Sequence, residues 1–202
     1  MERFADEKGL GFSPALTRFV DAMSAMVRAC QVESEQVERT LPLLRELVRD
    51  ASWLRPEWTV PSAEQYARYP VYQDPEGRFE VLVLVWLPGQ GTLLHDHDGT
   101  WGAEGVVRGT VTITNYRQEG EAGPDLVRLT ELGTEEIRAG ETGQLLPPAD
   151  CHIVANRGQE TAITVHVYGK PLRQFRVFEP TEEPGLYRAQ WVQVRATRPV
   201  AV

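Results

Sequence analysis

The sequence predicts a mainly β protein, an antiparallel sandwich or barrel that follows an α-helical N-terminal segment. Apolar residues recur at helical spacing only within the first 70 residues. From Phe79 onward the chain consists of short β-branched runs separated by clusters of Gly, Pro, Asn and Asp. Because no long helix separates these runs, they favour antiparallel strands over an alternating α/β sheet.

Length and composition fit one globular domain. The 202 residues include 42% hydrophobic and 25% charged side chains, which is the balance of a chain that buries a core of its own. We expect a single domain over 1–202, with a mostly helical segment at 1–70, the barrel at 76–180 and a C-terminal extension at 181–202.

Two long helices are predicted near the N-terminus. Ser13 and Pro14 are residue types preferred at a helix N-cap and first turn, and apolar side chains follow at helical spacing over 16–27. A second helix is predicted over 34–49, where Pro42 either starts a new helix or kinks one.

The remaining elements are short. Ser62 followed by Gln65 resembles a capping box and predicts a short helix over 62–68. The continuous apolar run 79–87 predicts a buried strand. Further strands are expected around 92–97, 106–107, 110–116, 126–132, 143–146, 153–155, 162–168 and 175–178, with a possible last strand at 186–194.

Charge and cysteine content exclude several classes of function. The 21 Lys and Arg against 29 Asp and Glu give a net charge of −8, the wrong sign for binding nucleic acid or an anionic membrane. No run is apolar enough to span a bilayer, and the first residues lack the plan of a secretory signal. Cys30 and Cys151 form no CxxC pair and are interpreted as reduced thiols. We therefore expect a cytoplasmic protein.

The four histidines all lie in the strand-rich half. His95 and His97 are alternate residues, so in a strand they share a face with Cα atoms roughly 6.6–7 Å apart, while Asp96 points to the other face. Together with His152 they form a candidate metal site, since neutral imidazole binds zinc, copper, iron and nickel. The alternative is a pair of half-exposed strand histidines without a metal.

The sequence around these histidines resembles the two motifs of the cupin superfamily. Gly89 precedes His95 by the spacing of the first motif, and Pro147, His152 and Asn156 match the second. The resemblance implies a double-stranded β-helix, a jelly-roll-like barrel.

The motifs depart from the usual cupin pattern at the acidic ligand. That position falls at Trp101 or Gly102, and Glu104 comes too late to align with it. A cupin that keeps only three histidine ligands resembles the thiol dioxygenases, specifically bacterial members of the cysteine dioxygenase family. The resemblance implies Fe(II) held by the metal ligands His95, His97 and His152.

A second part of the resemblance is the segment that ends at Tyr168. Thr164, His166 and Tyr168 alternate with valines and so share one face of a strand. They resemble the family's Ser-x-His-x-Tyr relay, which implies catalytic roles: Tyr168 hydrogen-bonds to substrate or oxygen, His166 orients Tyr168, and Thr164 fixes His166. Where animal members carry the cysteine that crosslinks to this tyrosine, the chain has Gly102, which implies that no thioether forms.

The resemblance implies Tyr66 and Arg68 as the substrate-binding residues. They resemble the Tyr-x-Arg segment with which cysteine dioxygenases hold the substrate carboxylate, whereas 3-mercaptopropionate dioxygenases tend to have Gln at the arginine position. Tyr66 either supports Arg68 or has only a packing role. Arg173 and Arg176 remain alternatives for the carboxylate contact.

Three hypotheses follow. The first is an Fe(II) dioxygenase that oxidises L-cysteine with O₂ to cysteine sulfinic acid in cysteine catabolism. The second changes the substrate to 3-mercaptopropionate or another small thiol. The third is a cupin that binds a metal or ligand without oxygen chemistry, because a fold alone does not fix a function. Oligomeric state is open, and a monomer is compatible with the sequence. Cys151 is expected to be buried and inert, and Trp101 either walls the site or packs in the core.

Overall fold

The computed structural model describes residues 12–194, and its N-terminal part is a pair of helices. Helix α1 spans Pro14–Ala29 and begins where the Ser13 Oγ accepts the Leu16 N–H at 3.3 Å. Helix α2 spans Glu33–Arg49 as one helix that contains Pro42. Two short 3₁₀ turns follow, at Ala51–Trp53 and Pro56–Trp58.

Within residues 12–194, ten strands form two five-stranded sheets. Their bounds are β1 Ala67–Gln73, β2 Glu80–Trp86, β3 Gly102–Arg108, β4 Thr110–Gly123, β5 Leu126–Arg138, β6 Thr142–Leu145, β7 Cys151–Ala155, β8 Ala162–Tyr168, β9 Gln174–Pro180 and β10 Leu186–Gln193. The first sheet has the order β1-β2-β8-β3-β6 and the second the order β7-β4-β5-β10-β9. All pairings within them are antiparallel. The predicted mainly β, cupin-type double-stranded β-helix is therefore confirmed.

The predicted short helix over 62–68 is wrong. Ser62 Oγ accepts the Glu64 N–H at 3.4 Å in a local turn, and the chain then enters β1, which pairs with β2 at the edge of the first sheet. Pro70 favours the strand, since proline lacks a backbone donor and is tolerated at a sheet edge, and the residue before a proline is biased toward extended backbone. The barrel accordingly begins at Ala67 and not at 76.

The predicted strand over 92–97 is an irregular segment held by isolated bridges. His95 bridges His152 on one side and Val177 on the other, and the Phe178 N–H donates to the Leu94 carbonyl at 2.8 Å. The segment thus lies between β7 and β9 and links the two edges of the second sheet. The predicted last strand is confirmed as β10, which pairs with β5 and β9.

The first sheet is buried on both faces, which explains the continuous apolar run of β2. Odd-numbered residues of β2 and β8, such as Val83 and Val165, pack with the two helices. Even-numbered residues such as Leu84 and Trp86 face the second sheet and pack with Ile113 of β4. This inner face carries the candidate site.

Parts of the predicted domain organisation fall on residues that the structure does not describe. Residues 1–11 of the helical segment and 195–202 of the C-terminal extension lie outside the described residues, and the single-domain prediction stays a prediction. Over 12–194, none of the helices combines the length and apolar character needed to cross a membrane.

Candidate metal centre

Three histidines meet inside the barrel. One ring nitrogen from each of His95, His97 and His152 lies within 4.8 Å of the other two. The ring centroids are 4.7–5.0 Å apart. All three side chains are buried, His97 completely. The structure therefore places the three histidines as one cluster, and not as the half-exposed pair of the alternative interpretation.

Backbone pairing between distant segments builds this cluster. The His95 N–H donates to the His152 carbonyl at 3.1 Å and the His152 N–H donates back at 3.0 Å, so the two side chains stand next to each other. His97 is followed by a turn in which Asp98 and Gly99 have positive φ angles of 54° and 69°, a conformation that Asp and Gly tolerate better than other residues.

Two of the three histidines, His95 and His152, are held in the neutral form. Burial lowers the pKa of His95 to about 3, helped by the neighbouring His97. Burial, followed by the charges of the other histidines, lowers the pKa of His152 well below its ordinary value. Neutral imidazole is the form that binds metal ions.

The unsatisfied ring nitrogens indicate what the cluster needs. Among residues 12–194, no hydrogen-bond partner reaches either ring nitrogen of His97 or Nδ1 of His152, although these atoms are buried. Buried polar atoms without partners cost about 1–3 kcal/mol each. In His95 the Nδ1 lies 2.9 Å from the Leu93 carbonyl, which leaves Nε2 available. A divalent metal ion fits this donor set.

Two buried carboxyl groups lie behind the cluster. Asp150 Oδ2 is 3.9 Å from His97 Nδ1, and Glu104 Oε1 is 3.8 Å from His152 Nδ1. Glu104 is not a member of the three-histidine group, and burial raises its pKa to about 8. Asp96 faces away, because its carboxylate accepts from Arg176 Nε at 2.7 Å.

The three residues of the predicted relay contact one another in series on the inner face of β8. The Thr164 Oγ1 and His166 Nε2 are 2.9 Å apart, and His166 Nδ1 is 3.3 Å from the Tyr168 Oη. Tyr168 also stacks on His97 with ring centroids 5.3 Å apart. Burial raises the pKa of the Tyr168 phenol, so the hydroxyl keeps its proton at neutral pH. The relay and the histidine cluster therefore form one continuous site.

Trp86 extends this chain of hydrogen bonds beyond Thr164. Its indole N–H donates to the Thr164 Oγ1 at 2.9 Å, and its ring stacks on Tyr66 with centroids 4.4 Å apart. Because an indole only donates, the Thr164 oxygen acts as acceptor here, and its own proton remains available for the contact with His166 Nε2. Tyr66 thus packs against the relay.

Arg68 lies on the inner face of β1, where it is 7% exposed. Its guanidinium carbon is 5.9 Å from the Tyr168 ring centroid, and its Nη2 is 4.0 Å from Glu80 Oε1. Glu80 is itself anchored, because Oε1 accepts the Leu172 N–H at 2.8 Å. Arg68 therefore brings a cationic group to the edge of the histidine cluster.

The two alternative arginines make other contacts. Arg173 Nη2 donates to Gln73 Oε1 at 2.8 Å at an exposed position. Arg176 pairs with Asp96 and with Glu121, the latter at 3.0 Å.

The structure also locates the other residues that the sequence analysis singled out. An ideal Cβ built on Gly102 would lie 3.1 Å from Cδ1 of Tyr168, so position 102 directly faces the tyrosine and offers no sulfur for a crosslink. Trp101 packs in the core with the helices, and its Nε1 donates to Gln36 Oε1 at 2.7 Å. Cys151 is buried as predicted, and burial raises the pKa of its thiol.

Sequence reasoning missed three residues of this site. Glu80 and Trp86 carry polar groups at the two ends of the apolar strand β2. Because both side chains point to the face that carries the relay, their positions were a usable sequence signal. Asp150 gave no sequence signal, since only the fold brings it to His97.

Comparison with known proteins gives the family. The family model of cysteine dioxygenase type I matches residues 14–181. Among solved structures, a Thermus thermophilus protein has 19% sequence identity and a TM-score of 0.43, covering 56% of this chain and 90% of that chain. A Klebsiella pneumoniae protein with a double-stranded β-helix domain has 22% identity and a TM-score of 0.43, covering 68% of this chain and 85% of that chain.

Proposed function

Because the chain belongs to the cysteine dioxygenase type I family, we propose that it is an Fe(II) thiol dioxygenase that converts L-cysteine and O₂ into cysteine sulfinic acid. Both oxygen atoms of O₂ end on the sulfur, so no additional reductant is needed. The observation that carries the proposal is the buried cluster of His95, His97 and His152, next to the Thr164–His166–Tyr168 relay on the same inner face.

The three clustered histidines would hold the iron. Neutral imidazoles leave the positive charge of the ion uncancelled and occupy only part of its coordination sphere. When bound, Fe(II) supplies a cation that lowers the pKa of the substrate thiol and a redox centre for reaction with O₂. The protein contributes binding and orientation.

Arg68 would bind the substrate carboxylate. The chain carries a net charge of −8, so an anionic substrate needs a local cation. The Arg68 guanidinium lies by the Tyr168 ring, where a planar fork can pair with both oxygens of a carboxylate. Glu80 holds the arginine from behind, and Tyr66 stacks at the side on Trp86.

Tyr168 would donate a hydrogen bond to the substrate carboxylate or to oxygen. Its raised pKa keeps the phenol protonated, and the His166 ring behind it fixes the direction of the hydroxyl. Thr164 in turn holds His166. Such an outer layer of hydrogen bonds around a site is commonly worth 10–100-fold in affinity or activity.

A second substrate remains compatible with the same site. Arg68 recognises a carboxylate, which L-cysteine shares with 3-mercaptopropionate, whereas the amino group distinguishes the two. A further alternative is a cupin that binds metal without turnover. The reduced thiols Cys30 and Cys151 support a cytoplasmic location for a role in cysteine breakdown.

The test is oxygen consumption by Fe(II)-loaded protein with L-cysteine or with 3-mercaptopropionate, together with identification of the sulfinate. We expect L-cysteine to give the higher kcat/KM, and Zn(II)-loaded protein to give none. Arg68→Gln should raise KM for L-cysteine at least tenfold, while Arg173→Gln, the matched control at an exposed arginine, should not. Lack of oxygen uptake with any small thiol would refute the proposal, and an unchanged KM in Arg68→Gln would remove its carboxylate role.

A further inference from the structure

Asp96 is a buried carboxylate for which the proposed reaction gives no role. It stands between His95 and His97 in the chain. Its side chain points away from both histidines and toward β9, where it meets Arg176. Burial of a carboxylate is unfavourable unless the group is paired and hydrogen-bonded, so its partners indicate what this residue does.

Arg176 of β9 bonds to Asp96 through both main chain and side chain. The Arg176 backbone N–H donates to Asp96 Oδ1 at 2.8 Å, and Arg176 Nε donates to Asp96 Oδ2 at 2.7 Å. The Asp96 N–H donates back to the Arg176 carbonyl at 3.0 Å. A further contact comes from the turn after His97, where the Asp98 N–H donates to Asp96 Oδ1 at 3.3 Å. Both carboxylate oxygens are therefore occupied.

The guanidinium of Arg176 is itself fixed on its other side. Nη2 donates to Gln118 Oε1 at 2.6 Å, and Nη1 donates to Glu121 Oε1 at 3.0 Å. The guanidinium carbon lies 5.4 Å from the ring centroid of Phe178 and 5.8 Å from that of Trp191, within the range of cation–π attraction. Gln118 and Glu121 belong to β4, which is not a neighbour of β9 in the sheet. Arg176 thus connects β9, β4 and the segment that carries two of the histidines.

The segment 92–97 depends on such contacts because it is not a regular strand. His95 forms isolated bridges with His152 and with Val177, and a continuous ladder of hydrogen bonds is not formed over these residues. The side chains of Asp96 and Arg176 are only 6% and 18% exposed. Exposed ion pairs contribute little to stability, whereas removal of one partner from a buried pair leaves a charge that nothing compensates. Loss of the arginine would therefore disturb this segment directly.

We propose that Arg176 is a positioning residue, which binds Asp96 and thereby holds His95 and His97 in place for the metal before the ion binds. This role depends on the proposed function only in that both histidines are taken as metal ligands. Ligands that are already ordered lose less freedom when the ion binds, so the affinity of the site is higher. Arg176 then acts on the metal centre from outside the barrel and not on the substrate carboxylate.

The first test is metal affinity. Competition with a chelator for Zn(II) should show a 10–100-fold lower affinity in Arg176→Met, which keeps an unbranched stem without donors. Asp96→Asn keeps the size of the side chain, removes the charge and should lose a similar factor. The matched control is Arg128→Gln, which breaks an equally short ion pair of 2.7 Å with Glu183 at an exposed position of the same sheet and should bind Zn(II) as the wild type does. Wild-type affinity in a folded Arg176→Met or Asp96→Asn protein, or an equal loss in the control, would overturn the proposal.

A double-mutant cycle on the Zn(II) affinity tests whether the two residues act through each other. Once Arg176→Met has removed the pair, adding Asp96→Asn should lower the affinity by no more than about threefold further. If the two single losses multiplied in the double variant, the residues would act separately, and the proposed positioning would be wrong.

Amide hydrogen exchange of the metal-free proteins locates the effect. Peptides covering 92–98 should exchange at least tenfold faster in Arg176→Met than in the wild type, while α1 and α2 keep their rates, and Zn(II) should restore much of the protection. Equal acceleration in the helices would indicate general loss of stability and contradict a local role. Neither thiol nor oxygen enters these measurements, so a protein that oxidised no thiol would refute the proposed function, while the role of Arg176 would still be decided by metal affinity and exchange.

Discussion

The Trp86–Thr164–His166 chain predicts a measurable coupling between two buried side chains. Thr164→Val keeps the shape of the side chain but removes the oxygen that accepts from Trp86 at 2.9 Å and contacts His166 at 2.9 Å. Trp86 is fully buried and Thr164 is 2% exposed, so water cannot replace the lost oxygen. Each buried polar group that loses its hydrogen-bond partner lowers the free energy of unfolding by about 1–3 kcal/mol. Thr164→Val should therefore lower the free energy of unfolding by roughly 2–5 kcal/mol.

A double-mutant cycle separates the Trp86 contribution. Trp86→Phe alone lowers stability through lost volume and lost stacking on Tyr66. In the Thr164→Val background it also removes the orphaned N–H, so the double variant should be more stable than the sum of the single variants by about 1–3 kcal/mol. Thr164→Ser keeps the hydroxyl and should cost only about 1 kcal/mol for the lost methyl group.

The assay is urea unfolding of the metal-free proteins followed by circular dichroism, with m-values compared across the cycle. Sulfinate production by the Fe(II)-loaded proteins gives a second readout, which should fall at least tenfold in Thr164→Val and stay close to wild type in Thr164→Ser. Additive stabilities within about 0.5 kcal/mol, or equal activities of the Val and Ser variants, would show that the relay is not organised by this oxygen.

Three more predictions concern the surroundings of the site. Gly102→Ala should lower sulfinate production in a steady-state assay while the protein stays folded, because its Cβ would press on the Tyr168 ring at 3.1 Å; wild-type rates would contradict this. The metal-free protein should lose stability as the pH falls from 6.5 toward 3. Burial lowers the pKa of His95 to about 3 and lowers the pKa of His152 and of His166 well below the ordinary value, so these three take up protons in the unfolded chain before they do in the folded protein. The raised pKa of Glu104 offsets part of this loss of stability. Urea unfolding at a series of pH values would measure how the free energy of unfolding depends on pH. A free energy that does not change with pH would contradict burial of these histidines in the neutral form. The two cysteines are buried and should react with a disulfide reagent only after unfolding, so rapid reaction of native protein would be inconsistent with the fold.

Local geometry explains what could be predicted from the sequence. The period of two along a strand places Thr164, His166 and Tyr168 on one face whatever the rest of the chain does. The same alternation separates Asp96 from the neighbouring histidines, although their segment is irregular. A capping residue and apolar spacing likewise located α1, whereas α2 begins without a side-chain cap.

The failures share a physical cause as well. The capping signal at Ser62 was local, but pairing with β2 and the proline at position 70 drew the next residues into a strand. Arg68 consequently lies inside the barrel and not on a solvated helix.

The sequence by itself determined the mainly β class, the set of imidazole donors and the polar face of β8, because each depends on residue type and on the repeat of the backbone. Only the tertiary structure decided that β7 lies beside the irregular segment carrying His95, that Arg68 reaches the same interior, and that Glu104 faces two rings at once. Those contacts join residues far apart in the chain, and strand pairing between distant segments follows from burial of the whole core, which no local pattern encodes.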